Sequence, residues 1–325
     1  MTTHTNTSEV PPHEIAPAPG GDAAAQPAFA VCITTMNRVE RLEACLANLD
    51  RCTLRPAVVF VSDDSPDPAV RAANQAAVAA HPGVVYLTGP RRGVCANRNN
   101  AVQRCLEQAP YCSHVSFVDD DVLVDADFFE QASVHLLKLP EARRPLTILT
   151  GGASSGPYLH QCWPLRLSFA CYFTRGEVPQ CVNMHCSMFP LALFTRDLWD
   201  ENIFFGTEDA ELCLRALRHG YTIELEPGMR SLDTMPGGGV LNATKITTGL
   251  TRYQVCCEAA RLYIGVKRYG VIERAPLRFA AFLVIYFGHL TLYLAKRGAL
   301  SQILPIVRTS KAWRACLPGA GTAAH

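Results

Sequence analysis

Three consecutive aspartates, Asp119-Asp120-Asp121, close the apolar run Val115–Val118. Adjacent carboxylates repel one another, and a helix or turn cap needs only one of them. In extended backbone residues i and i+2 face the same way, so Asp119 and Asp121 are expected to share a ligand while Asp120 points elsewhere. Such a pair of hard oxygen donors suits Mg²⁺ or Mn²⁺, which take few carboxylates and fill their shell with water and phosphate oxygens. Upstream, Arg91-Arg92-Gly93 precedes Val94, Arg98 and Ala101 at helical spacing. A helix N-terminus beside two arginines suits an anion such as a diphosphate, although a solvated basic turn would read the same way. A second acidic cluster, Glu208-Asp209-Ala210-Glu211, opens another helical pattern. Acidic residues there ordinarily complement the helix dipole; this cluster gains interest by following a metal-like carboxylate pair on the same domain.

The elements that must position these groups are legible as hydrophobic runs. Phe29–Ile33 leads into Thr34-Thr35-Met36-Asn37-Arg38, and Val39, Leu42, Leu46 and Leu49 then recur at helical spacing. Val58–Val61 leads into Ser62-Asp63-Asp64-Ser65, Val84–Leu87 is a third strand, and Val115–Val118 is a fourth. Alternation of apolar strands with helical or turn segments is the βαβ rhythm, and strands apolar throughout have both sheet faces covered. Ligands in such sheets collect at the carboxyl ends of the strands, where the polar residues stand. Asp and Ser at these ends also cap helices and turns, which remains an equal reading for Thr34, Ser65 and Asp67. After Asp209, Leu212, Leu214, Leu217 and Tyr221 make an amphipathic helix ended by Gly220.

A chain of 325 residues with 49% hydrophobic and 18% charged content has material for one large domain or two small ones. Its net charge of +1 argues against a generally basic nucleic-acid binder. That average hides a split: residues 1–249 carry 19 Lys and Arg against 27 Asp and Glu, whereas residues 250–325 carry 11 against 2. The 14 cysteines form no CxxC pair and read as reduced, mostly buried thiols of a cytoplasmic protein. Residues 1–27, mostly Thr, Pro, Ala and Gly, read as a disordered tail without the features of a signal peptide.

Over residues 29–235 the order of these motifs resembles the family 2 glycosyltransferases with the GT-A fold. Thr34–Arg38 and Ser62–Ser65 are similar to the family's first two strand-end motifs, and Ala96-Asn97-Arg98-Asn99 to its Ala-Arg-Asn motif. Asp119–Asp121 matches its metal motif, and Trp199-Asp200-Glu201 with Gly206-Thr207-Glu208-Asp209 its acceptor-side acidic motif. The resemblance implies an α/β fold of Rossmann type, with helices on both faces and a helical C-terminal extension. Its nucleotide-sugar half would span about 28–125 and its acceptor half about 126–249, with residues 250–325 forming the extension. It implies an inverting sugar transfer from a nucleotide-diphosphate donor, UDP-sugar by default, to a hydroxyl acceptor, assisted by Mg²⁺ or Mn²⁺. Asp63 would contact the base with Thr35 beside it, Arg98 would lie near the pyrophosphate, and Asn37, Arg38, Arg91 and Asp120 would complete the donor side. Asp119 would approach the ribose or the metal-bound water, Asp121 would ligate the metal, and Asp209 would be the general base. Glu208, Asp200 and Trp163 would support the acceptor side, where Tyr158 and Phe173 are further stacking candidates.

Two departures from the family pattern stand out. A His often found six residues after a strand proline is here Asp233, counted from Pro227, which as a carboxylate could be a third metal ligand. The segment His160–Cys186 carries His160, Cys162, Cys171, Cys181, His185 and Cys186 at spacings that match no common zinc pattern.

Other readings are weaker. Gly152-Ala153-Ser154-Ser155-Gly156 spells GxSxG, but Pro157 stands where that motif needs a helix. A metal-dependent nucleotidyltransferase shares the architecture without needing Asp209; a non-catalytic membrane-associated scaffold is the remaining alternative. The basic rear contains helical stretches at Tyr253–Tyr269, Leu277–Arg297 and Leu300–Ala315, with Pro305 expected to start or kink the last. Phe279–Ala295 carries no formal charge, and as a helix it would be about 25 Å long against a hydrocarbon core of about 30 Å. Tyr286, His289 and Tyr293 share one helical face. An interfacial helix on an anionic membrane surface, through residues 277–315, is the favoured expectation, which places the protein peripherally at the inner face of the membrane. A helix packed on the domain is the competing one.

Overall fold

The computed structural model describes residues 26–155, 163–234 and 250–317. Most of the expected tail, and Gly156, Pro157, Tyr158, His160 and Cys162, lie outside these residues. Strands β1 (Phe29–Thr35), β2 (Val58–Asp63), β3 (Val84–Thr88) and β4 (His114–Asp119) run parallel in the order β3-β2-β1-β4. Helices α1 (Val39–Leu49), α2 (Pro68–Ala79) and α3 (Val94–Gln108) connect them. β1 is buried along its whole length. Phe29, Val31 and Ile33 point into the core under α1, while Ala30 and Cys32 point into the core under α3, as the two-residue period of a strand covered on both sides requires.

The second half continues the sheet with mixed polarity. Its elements are β5 (Val122–Val124), α4 (Phe128–Lys138), β6 (Thr147–Ser155), β7 (Leu165–Leu167), β8 (Phe173–Arg175), β9 (Ser187–Pro190), α5 (Glu208–Arg218) and β10 (Thr222–Asp233). The eight-stranded order is β3-β2-β1-β4-β9-β6-β10-β5, with β9 antiparallel to both β4 and β6. β5 follows the aspartate triplet directly yet pairs at the far edge with β10, setting Val122 opposite Asp233. Residues 152–155 of the GxSxG string lie inside β6, in register with Arg230–Asp233 of β10. A paired strand cannot form a nucleophile elbow, so the hydrolase reading fails on backbone grounds as well.

Among the described residues three α-helices follow the sheet: α6 (Arg252–Lys267), α7 (Pro276–Ala295) and α8 (Ile303–Ser310). α6 begins with a capping box in which Thr251 and Gln254 satisfy each other's backbone N–H. Pro276 takes the first turn of α7 and Pro305 that of α8, where a missing N–H costs nothing. The helices extend the α3 and α5 side of the core through Tyr263, Tyr269, Phe282 and Leu290.

The rear is less of a charged surface than its composition suggests. Arg261, Lys267 and Arg268 are buried. Lys267 Nζ lies 2.5 Å from Asp200 Oδ2 and 2.6 Å from Glu211 Oε1. Tyr263 Oη donates to the same Asp200 oxygen, and Arg215 bridges Glu211 and Asp197. This network bolts α6 to α5 and to the loop before it. Removing one partner of a buried pair strands the others without compensation. Lys267→Met is expected to cost about 3–5 kcal/mol in urea unfolding, far above the effect of an exposed pair such as Arg104–Glu107.

Candidate active site

The carboxyl ends of β1, β2 and β4 and the start of α5 meet at one edge of the sheet. Successive residues of β1 face opposite sides, and its two terminal threonines grip different aspartates: Thr34 Oγ1 donates to Asp119 Oδ1 at 2.9 Å, Thr35 Oγ1 to Asp120 Oδ2 at 2.7 Å. Strand geometry ends at Asp119, and Asp120-Asp121 form a turn into β5. The i, i+2 alternation expected to pair Asp119 with Asp121 therefore does not extend through the triplet. Asp120 and Asp121 instead share Arg38, whose guanidinium lies 2.9 Å from Asp120 Oδ1 and 2.6 Å from Asp121 Oδ2. Burial pushes the Asp120 carboxyl up to about 7, against the pull of Arg38 and Thr35.

Arg98 joins the two acidic clusters. From α3 its Nη1 reaches Glu208 Oε1 at 3.0 Å, its Nη2 lies 3.3 Å from both Asp119 oxygens, and its plane sits 5.1 Å from the Trp199 ring. It is buried, so it serves as an internal strut between the end of β4 and the start of α5. Burial raises the Asp119 carboxyl, but Arg98, His185 and the Thr34 hydroxyl outweigh it and hold the group below the usual carboxylate range.

Asp209 stands beside this strut, in the first turn of α5. Burial and the neighbouring Glu208 charge push its carboxyl up to about 7. The residue before the pair, Thr207, adopts a left-handed backbone with φ 59°, and Asn37 and Arg91 do the same at the ends of β1 and β3. Non-glycine residues in that region cost energy, and they gather at functional sites. Among the described residues, Thr207 Oγ1, Glu208 Oε2, Arg98 Nε and His185 Nδ1 are buried polar atoms without a hydrogen-bond partner. Arg98 and Glu208 belong to the ion pairs that join Asp119 to α5, and Thr207 precedes Glu208 in the chain.

The other expected residues are placed as follows. Asp63 is fully buried, accepting from Ser65 N, Asn74 Nδ2 and Tyr86 Oη. Asn37 N donates to Ser65 Oγ, which ties the ends of β1 and β2 together. Arg91 is exposed, and its backbone N–H donates to Asp64 Oδ1. Asp200 is committed to Lys267 and Tyr263. Trp163 stacks with Arg175 at 4.1 Å, beside the β7–β8 hairpin. Asp233 accepts from Ser155 Oγ, and its neighbour Thr234 donates to the Asp121 carbonyl, so the two acidic positions are adjacent. Cys171, Cys181 and Cys186 are buried in the core.

Sequence reasoning passed over two contributors. Gly89 ends β3 where a Cβ would lie 2.2 Å from Asp64 Oδ1, so only glycine lets the Asp64 loop close. His185, weighed only as part of a Cys/His cluster, belongs electrostatically to Asp119. No spacing signal could link it to a strand end so far upstream.

A divalent cation fits the chemistry of this edge within limits. Among the described residues no three His, Cys, Asp or Glu side chains converge into a cage. Mg²⁺ and Mn²⁺ bound with a diphosphate need only one or two carboxylates. Asp121 and Asp119 keep 15% and 24% of their side chains exposed, whereas Asp120 keeps none. Asp121 and Asp119 are thus the two partly exposed carboxylates of the triplet, and Asp121 is ion-paired with Arg38.

The sequence matches the family described as Glycosyl transferase family 2 over residues 30–200. No curated protein is matched by the sequence. Solved structures share the fold. A GalNAc-T7 structure with UDP, GalNAc and Mn²⁺ superposes with a TM-score of 0.56 at 13% identity, covering 90% of this chain. This chain spans 58% of the length of that one. TarS of S. aureus in complex with UDP-GlcNAc gives 0.54 at 15% identity, covering 89% of this chain and 82% of its own. The mannosyltransferase PcManGT from Pyrobaculum calidifontis with GDP-Man and Mn²⁺ gives 0.54 at 17% identity, covering 91% and 77%.

Proposed function

The chain belongs to glycosyl transferase family 2 and is a glycosyltransferase, and from that premise we propose that it moves a sugar from a nucleotide-diphosphate donor to an acceptor hydroxyl with inversion, Asp209 acting as general base. Membership supports this reading over the nucleotidyl-transfer and scaffold alternatives. The observation that carries the reading is the Asp119–Arg98–Glu208-Asp209 line: one buried guanidinium holds the end of β4 and the start of α5 in a single rigid piece. The donor's diphosphate would lie over the ends of β1 and β4, and the acceptor hydroxyl at Asp209.

Asp209 removes the hydroxyl proton as that oxygen forms its bond to the anomeric carbon. The bond from that carbon to the diphosphate breaks on the opposite face, its electron pair leaves with the nucleoside diphosphate, and the proton stays on the Asp209 carboxylate. A carboxyl raised to about 7 is a better proton acceptor than an ordinary one and is about half ionised near neutrality. A bound Mg²⁺ or Mn²⁺, held by Asp121 with Asp119, would neutralise charge developing on the departing diphosphate. Crystallisation of GalNAc-T7 and PcManGT with Mn²⁺ supports that choice of ion. UDP is our default nucleotide; the neighbours bind UDP-GlcNAc and GDP-Man.

A thermal-shift panel of nucleotide sugars with and without Mn²⁺ tests the reading. It expects stabilisation by at least one donor that Mn²⁺ enhances, with nucleoside diphosphate released on turnover. No response to any donor, or release of pyrophosphate, would overturn it. Arg38 gives a separate readout: Arg38→Gln should bind Mn²⁺ about tenfold more tightly by calorimetry, because Asp121 loses a competing cation. Unchanged or weaker Mn²⁺ affinity would exclude Asp121 as a ligand in competition with Arg38.

A further inference from the structure

α7 is held to the protein along one stripe only. Phe282, Tyr286, Leu290 and Leu294, four residues apart, are fully buried, and Tyr286 Oη donates to the Glu258 carbonyl of α6. The tyrosine face expected from sequence to lie at an interface is therefore seated in part against the protein. The opposite face presents Leu277, Ala281, Val284, Ile285, Gly288 and Leu292 to solvent, with Leu277 86%, Val284 75% and Leu292 63% exposed. No charged residue interrupts it between Arg278 and Lys296. Lys296 and Arg297 end the helix, and the exposed Arg308, Lys311 and Arg314 follow, with Trp313 exposed among them.

We propose that this outer face of α7 docks on an anionic phospholipid surface, its apolar residues among the acyl-chain boundary and the flanking cations among the headgroups. Exposed apolar stripes of this kind mark interaction surfaces, and an apolar face between basic ends is the pattern of an interfacial helix. A transmembrane span does not fit, although α7 is long and apolar enough by length and composition. Its inner stripe is packed on α6, and crossing the bilayer would draw the charges of Arg261, Lys267 and Asp200 into hydrocarbon. A second copy of this chain fits poorly as well. The carboxyl end of the stripe is cationic, so parallel pairing sets Lys296 and Arg297 against like charge, while at the other end Arg278 is already paired with Glu273. A helix face about 30 Å long and about 10 Å wide offers roughly 300 Å², against about 800 Å² per partner in a stable protein interface.

The test is co-sedimentation of the full chain with vesicles of phosphatidylcholine alone or mixed with phosphatidylglycerol. Binding is expected to the mixed vesicles, weakened by salt. V284D/L292D should reduce it at least about tenfold, and K296E/R297E should abolish its dependence on phosphatidylglycerol. Melting temperature checks that the variants fold, and V284S/L292S replaces the aspartates if they do not. Failure of the wild type to bind, binding that survives loss of the apolar face, or a vesicle-free dimer dispersed by V284D/L292D would each overturn the proposal. Neither variant touches the carboxylate edge, so the outcome is independent of the sugar-transfer reading.

Discussion

Asp209→Asn should lower kcat by a factor on the order of 10²–10⁴, the range general-base catalysis supplies, while donor affinity by calorimetry stays within about twofold. The asparagine keeps the shape and can accept the backbone N–H of Ala210 that the carboxylate Oδ1 accepts at 2.8 Å. It cannot take a proton. Under the proposed mechanism the loss falls on turnover, because the donor would lie at the ends of β1 and β4. Full transfer activity in this variant would remove Asp209 from catalysis.

The same carboxyl sets the expected pH profile. As the proposed general base Asp209 would act only when ionised, and burial together with Glu208 raises its pKa to about 7. The ionised fraction thus rises with pH through neutrality, and kcat/KM should show an acidic limb near 7 that Asp209→Asn lacks. Glu208→Gln removes the neighbouring negative charge and should move that limb to lower pH. A limb unmoved by Glu208→Gln would mean that another group controls it.

How far the site could be foreseen depended on what kind of signal each residue carried. β1 to β4 follow from uniformly apolar runs, because a strand covered on both faces leaves no other pattern. Their polar ends were legible for the same reason: Asp63 and Asp119 close hydrophobic runs, while Asp209 was legible in an acidic cluster that opens a helical pattern. The pairing within the aspartate triplet was not, since the last strand residue decides where alternation stops and no local preference fixes it at Asp119. Long-range partnership was equally hidden. Arg98 could be read as an anion-binding residue, but not as the strut to Glu208, which lies 110 positions away. Asp200 reads with the acceptor-side motif and Lys267 only as part of the basic rear, and no local signal shows that the fold buries them against one another. The mixed half of the sheet, where β5 crosses to pair with β10, had no sequence signal because its three residues could pair with any edge.

Arg98→Met carries the second large expectation, a loss of about 3–5 kcal/mol in urea unfolding at neutral pH together with loss of transfer. The substitution preserves stem packing against Trp199 but leaves the Asp119 and Glu208 carboxylates without the guanidinium that compensates them. The sign with pH follows. In the wild type Asp119 sits below its ordinary value, so its contribution to stability is present above the unfolded-state pKa of about 3.9 and fades as pH falls through the lower folded value. Without Arg98, burial dominates and the folded Asp119 carboxyl titrates higher, so the defect should be greatest at neutral pH and shrink as acid protonates Asp119. Adding Glu208→Gln to Arg98→Met removes one stranded charge and should recover part of the stability. It should restore no activity, because the end of β4 and the start of α5 remain unjoined. Additive losses in the double variant would show that Arg98 and Glu208 do not interact, and transfer by Arg98→Met at the wild-type rate would show that the strut does not organise the site.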